Sequence, residues 1–172
     1  MGVGSVLMGD DGVGPAGIEM LRRSGMGDRA ELIDAGLAFS EALCELDPLR
    51  PLVILDALRG GCAPGSVYRI ALADLSPRDG SAGRGVSLHE ISVLPALRME
   101  ALAGREFADV TIFGVEPDRI AWGEGLSRSV AEAMGGLVRA VCDYLDELAA
   151  SEPVGEHEAV PAVPAACGSE NR

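Results

Sequence analysis

The chain has 172 residues and a net charge of −13, with 27 carboxylates against 14 basic residues, every one of them Arg. That length suggests one domain, a chain of this mass buries about two-thirds of its unfolded surface, and 48% hydrophobic residues lie above the disordered range. The acidic balance argues against nucleic acid or an anionic membrane as the main partner. No apolar run reaches the ~18 residues that a spanning helix needs. Met1 is not followed by the basic, then apolar, pattern of a secretion signal, so a cytoplasmic chain is expected.

In chain order, Gly2-Val3-Gly4-Ser5 and Gly9-Asp10-Asp11-Gly12 make a flexible opening. Pro15 suits the first turn of a helix whose apolar face carries Ile18 and Leu21, with Gly25 and Gly27 ending it. Residues 31–34 predict a short strand, and 41–46 a short helix. Leu52-Val53-Ile54-Leu55 is apolar without alternation, as in a parallel strand buried on both faces, and it ends at Asp56. Residues 65–70 alternate and predict an antiparallel or edge strand. Residues 72–87 predict a surface loop. A helix follows with Leu94, Leu97 and Leu102, and Pro95 must occupy its first turn or kink it.

Val110-Thr111-Ile112-Phe113-Gly114-Val115 predicts another strand. Ser127 is a candidate N-cap for a last helix, along which Val130, Met134, Leu137, Val141, Leu145 and Leu148 recur at intervals of three and four. The pattern stops after Ala150, giving one domain over 1–150 and a Pro-, Ala- and Glu-rich tail, expected to be disordered, over 151–172. Strands alternating with helices imply an α/β sandwich with a largely parallel sheet. The four cysteines, Cys44, Cys62, Cys142 and Cys167, form no CxxC pair. They fit neither a zinc knuckle nor a disulfide framework; Cys44 and Cys142 are expected to be buried, and Cys62 to stand in a turn.

Ligands of such sheets bind at the carboxyl ends of the strands, which directs attention to Asp11, Asp34, Asp56 and the loop carrying His89. Each residue has an ordinary explanation. Asp10-Asp11 could cap the following helix, Asp56 could form a turn, and a lone His is commonly a satisfied polar residue. Two carboxylates and an imidazole on separate loops also suit a divalent transition metal. A Ser-His-Asp triad lacks the elbow that would present its serine. A dinucleotide fingerprint would need a third glycine where Leu7 stands.

The ordered segments Gly2-Val3-Gly4-Ser5-Val6-Leu7-Met8-Gly9-Asp10-Asp11-Gly12-Val13-Gly14, Ile33-Asp34-Ala35-Gly36, Val53-Ile54-Leu55-Asp56-Ala57, Ala63-Pro64-Gly65-Ser66-Val67, Ser87-Leu88-His89-Glu90, Phe113-Gly114-Val115-Glu116-Pro117 and Gly125-Leu126-Ser127 resemble the [NiFe]-hydrogenase maturation endopeptidases. The resemblance spans about 1–148. It implies a three-layer α/β sandwich with a twisted, mostly parallel sheet flanked by helices. It also implies a single cut that removes the C-terminal extension of a hydrogenase large-subunit precursor after nickel insertion. The family's metal-contacting residues fall on Asp11, Asp56 and His89, which would act catalytically through nickel carried by the substrate rather than held as a resident cofactor, with no organic cofactor. Asp34 and Gly36 fall on the loop implicated in substrate recognition.

This chain departs from the family pattern in several places. Its first strand is largely missing, Ser5 replaces an Asn, Asp34-Ala35-Gly36-Leu37 replaces Asp-Gly-Gly-Thr, and Pro95 is atypical. A module that inspects nickel or holds the precursor without cutting it is the alternative, and a nucleotide-binding domain a more distant one. A monomer suffices for either of the first two roles.

Overall fold

The computed structural model describes residues 1–74, 81–82, 86–87, 93–107 and 109–151. The region of the expected tail from 152 onward, His89 and Cys167 lie outside the described residues. Among those described, five strands form one sheet: β1 (Gly2–Val3), β2 (Asp34–Gly36), β3 (Leu52–Ala57), β4 (Val67–Ala71) and β7 (Val110–Val115). Their spatial order is β2-β1-β3-β7-β4. The first four in that order run parallel, and β4 returns antiparallel along the β7 edge. A separate antiparallel pair joins β5 (Ser81–Ala82) to β6 (Val86–Ser87). The helices are α1 (Val13–Arg23), α2 (Phe39–Glu45), α3 (Leu94–Leu102) and α4 (Arg128–Ser151). No helix among the described residues is long and apolar enough to cross a membrane.

Strand alternation divides the core in two. One layer packs Ile18 and Leu21 of α1 and Val130, Met134, Leu137 and Val141 of α4 on Leu55 and Phe113. The other packs Phe39 and Leu43 of α2 and Leu94 and Leu97 of α3 on Leu52, Ile54 and Ile112. β3 and β7 are apolar throughout their centres because both of their faces meet a helix layer. The expected three-layer α/β sandwich is therefore present, and 65–70 supplies the antiparallel edge strand that its alternation predicts.

Several expectations shift. The strand expected at 31–34 forms instead at Asp34–Gly36. A strand needs a partner, and β1 offers only Gly2 and Val3, which pair with Asp34 and Gly36. Residue 33 reaches the ladder only through its carbonyl, which accepts from Gly2 N at 2.8 Å. β1 is thus short but central. A cavity of about 560 Å³ lies beside Met1, lined by Leu32 and Ile33 and by Leu52 and Val53. Leu102 is exposed and so contributes nothing to the buried face of α3, while Pro95 sits in its first turn. Cys44 is exposed, with its Sγ directed at Ser40 O (3.3 Å) and Glu100 Oε1 (3.5 Å), and Cys142 is only half-buried. Cys44 sits on the outward side of α2, whose inward positions are filled by Phe39 and Leu43, and Cys142 packs at the border of the α4 core face.

The helix on the first strand packs backbone against backbone. A Cβ on Gly14 would stand 2.2 Å from Val3 O and 2.5 Å from Leu55 O. No flexible side chain is there to give way, so α1 would have to lift off β1 and β3. Gly14→Ala is expected to cost about 3 kcal/mol, toward the upper end for overpacking, which urea unfolding of the two proteins measures directly.

Candidate metal-contacting site at the carboxyl edge

The strands place the sequence-selected acids from their ends. β1 and β3 are adjacent, with Gly2 opposite Leu55, so the next residue pair along the ladder sets Asp56 beside Val3. The chain then turns at Gly4, whose φ of 110° only glycine adopts readily. Asp11 comes back directly over this turn. Its carbonyl oxygen lies 2.0 Å, and its carboxyl carbon 3.3 Å, from where a Gly4 Cβ would be. Asp11 and Asp56 therefore stand on neighbouring strand ends at the same edge of the sheet.

Each acid is oriented by the backbone. Ser5 N donates to Asp11 Oδ2 at 2.7 Å. Ala57 N donates to Asp56 Oδ1 at 2.8 Å. Asp56 is buried and Asp11 half-buried. Backbone donors of this kind fix the rotamer of a carboxylate and hence the direction its oxygens face.

Asp34 is exposed at the start of β2, where its Oδ1 accepts from Gly36 N at 3.2 Å. Gly36, at φ 53°, accepts from Gly4 N at 2.9 Å. The loop expected to contact substrate is thus tied to the turn beneath Asp11. His89 lies outside the described residues, and among the described residues no group of three His, Cys, Asp or Glu side chains is placed to hold a metal ion.

Two carboxylates to which the sequence assigned no site role organise this edge. Asp10 is almost wholly buried. It accepts from Asp118 N (2.9 Å), Arg119 N (2.8 Å) and Ser127 N (2.6 Å), which closes the segment before α4 onto the opening loop. Burial pushes its carboxyl up, but the donors from Arg119, Ser127 and Asp118 outweigh that and hold it below the usual 3.8. The acidic pair therefore divides its roles: Asp10 holds the loops and Asp11 faces the edge.

Glu116, directly after β7, is also buried. Its Oε2 accepts from Gly60 N (2.7 Å), Cys62 N (3.2 Å) and the Tyr68 hydroxyl, clamping the turn that follows Asp56. Burial and the bonds with Cys62 and Glu116 push the Tyr68 phenol up. The signal for Glu116 was the same as for Asp56, an acid immediately beyond a strand buried on both faces. Cys62 is exposed in this turn, as its glycine-rich surroundings suggest.

The sequence profile of the hydrogenase maturation proteases matches residues 17–144. This protein belongs to the hydrogenase maturation protease family. Membership makes it a peptidase. Among similar proteins, hydrogenase expression/formation protein HoxM of Azotobacter vinelandii is 27% identical over 98% of this chain and 82% of its own length. Hydrogenase expression/formation protein HupD of Bradyrhizobium diazoefficiens is 26% identical over 86% of this chain and 77% of its own.

The fold agrees. The hydrogenase maturating endopeptidase HybD of E. coli superposes with a TM-score of 0.65 at 22% identity, covering 86% of this chain and 90% of that one. The hydrogenase 2 maturation peptidase of a Thaumarchaeota archaeon gives 0.63 at 28% identity, covering 84% and 95%.

The Asp10 clamp has a measurable worth. Asp10→Ala strands three part-buried N–H groups and is expected to cost about 2 kcal/mol, roughly 6 °C in Tm for a domain of this size. Because the folded pKa is lowered, the Asp10 contribution is present in full above the unfolded value and is lost as pH falls through the folded one, below 3.8. Thermal melts from pH 7 to pH 2 should show wild type and Asp10→Ala converging only at the acid end.

Proposed function

We propose that this protein cuts the precursor of a [NiFe]-hydrogenase large subunit once, releasing a C-terminal extension after nickel has been inserted. The observation that carries this reading is the placement of Asp11 and Asp56 on adjacent strand ends, each oriented by a backbone N–H. Family membership favours cutting over a module that only inspects or holds the precursor.

In this reading Asp11, Asp56 and His89 contact nickel carried by the substrate. Two carboxylates and an imidazole are a suitable donor set for a divalent first-row ion with further ligands from the precursor. Substrate-borne nickel supplies a Lewis acid that polarises a carbonyl or lowers the pKa of bound water. The chain's own residues bind and orient. Asp11 and Asp56 present fixed carboxylates, the Asp10 and Glu116 clamps hold the loops on either side of them, and Asp34 and Gly36 line the approach of the precursor backbone. Nickel thereby serves as the signal that insertion is complete, since a precursor without it offers these acids nothing to grip. The protein works in the cytoplasm, where the precursor is made, as a monomer and with no nucleic-acid or membrane partner. The chain's net charge of −13 supports the last point.

The decisive measurement is the intact mass of the nickel-loaded and nickel-free precursor after incubation with the protein. One C-terminal peptide is expected to be lost, only from the loaded form. Asp56→Ala should lower the cutting rate by at least about 100-fold, since even the outer partners of metal ligands are worth 10- to 100-fold. Normal cutting by Asp56→Ala would refute the site.

A further inference from the structure

Eight large apolar side chains are exposed among the described residues, and four of them, Val6, Leu7, Leu37 and Trp122, lie on the loops that leave the carboxyl ends of β1, β2 and β7. Scattered exposed apolar residues are ordinary, but these are joined through the backbone. Gly123 N donates to Leu7 O at 3.0 Å and Gly9 N to Gly123 O at 2.8 Å, seating Trp122 beside the opening loop. Gly4 N donates to Gly36 O at 2.9 Å, bringing Leu37 to the same turn. Ser5, immediately before Val6, is the residue whose N–H orients Asp11.

Trp122 is 81% exposed and is the only Trp of the chain. It adds little to the core, yet the clamp from Asp10 to Asp118, Arg119 and Ser127 fixes the segment that presents it. A rigidly presented aromatic at a site rim has the properties of a binding hot spot.

We infer that Trp122, with Leu7, Val6 and Leu37, is the docking surface for an apolar segment of the precursor, carrying basic residues, next to the bond to be cut. The charge partner follows from the rim itself. Asp34, Asp118 and Glu124 are exposed around it and outnumber the guanidinium of Arg119, which stands beside Gly123, so the rim stays net acidic, attracts a flanking Arg or Lys and repels an acidic segment. The contact lies on the substrate protein rather than on its nickel, so Trp122 sets affinity and takes no part in the chemistry. The inference rests on the proposed function, because it takes the precursor as the partner.

The test is calorimetric titration of the nickel-loaded precursor into the full chain, alongside cutting kinetics. It compares wild type with Trp122→Ala, Trp122→Phe and the distant control Leu49→Ala. Trp122→Ala is expected to weaken binding and raise KM about tenfold with kcat unchanged, as loss of a hot spot does. Trp122→Phe should recover most of this, and Leu49→Ala should match wild type. Melting curves that coincide show that the fold is kept.

A wild type that cuts while Trp122→Ala binds equally well overturns the docking surface and leaves the proposed function standing. A fall in kcat with affinity unchanged overturns it as well. A wild type that neither binds nor cuts the loaded precursor overturns the proposed function, and the docking surface with it.

Discussion

The buried carboxylate of Asp10 is the interaction on which the carboxyl edge of this protein depends. The polypeptide visits that edge at the end of β1 and again, more than a hundred residues later, between β7 and α4. Nothing in the parallel sheet joins these loops, because strand ladders end where the loops begin. Backbone bonds from Gly9 N to Gly123 O and from Gly123 N to Leu7 O lay them side by side, and one ionised side chain ties them further by accepting three backbone N–H groups from the later segment. A neutral acceptor would bind them more weakly, and charge-assisted bonds in a partly dry environment are the stronger kind. The carboxylate's own desolvation opposes this, and the three donors prevail.

A second carboxylate repeats the device two strands away. Glu116 gathers Gly60, Cys62 and Tyr68 around the turn after β3. Asp11 and Asp56 thus stand at the carboxyl ends of neighbouring strands, each with a clamped loop beside it. The arrangement divides the work: Asp10 and Glu116 hold the loops, and Asp11 and Asp56 are oriented at the edge by backbone donors. That division keeps Asp11 and Asp56 oriented without a bound ion to organise them.

Much of this was legible in the sequence where the physical signal was local. The unalternating apolar run of β3 and the stripe of α4 announced buried elements, and Asp56 was conspicuous because an acid rarely ends such a strand without a purpose. β2 was misplaced by three residues because a strand's limits are set by its partner, and no reading of 31–36 alone reveals that β1 offers only two residues. Cys44 was expected inside on general statistics, and larger apolar neighbours took the inward positions. The role of Asp10 could not be separated from that of Asp11, since adjacency in sequence gives no hint that one faces a loop 108 residues away and the other faces solvent. Leu102 shows the reverse error, an apolar residue at plausible spacing that lands beyond the packed side of α3.

The direction of α4 has a practical side. Its first turn stands against Asp10 at the carboxyl edge, while Leu145 and Leu148 border the cavity beneath β1 at the opposite end of the sheet. At 24 residues the helix is about 36 Å long, well beyond the ~20 Å of a six-residue strand. α4 therefore ends at the pole remote from Asp11 and Trp122. That end is the natural handle for an affinity tag, a fluorophore or a surface tether, because a load attached there leaves the acidic rim open to a folded protein as large as a hydrogenase subunit.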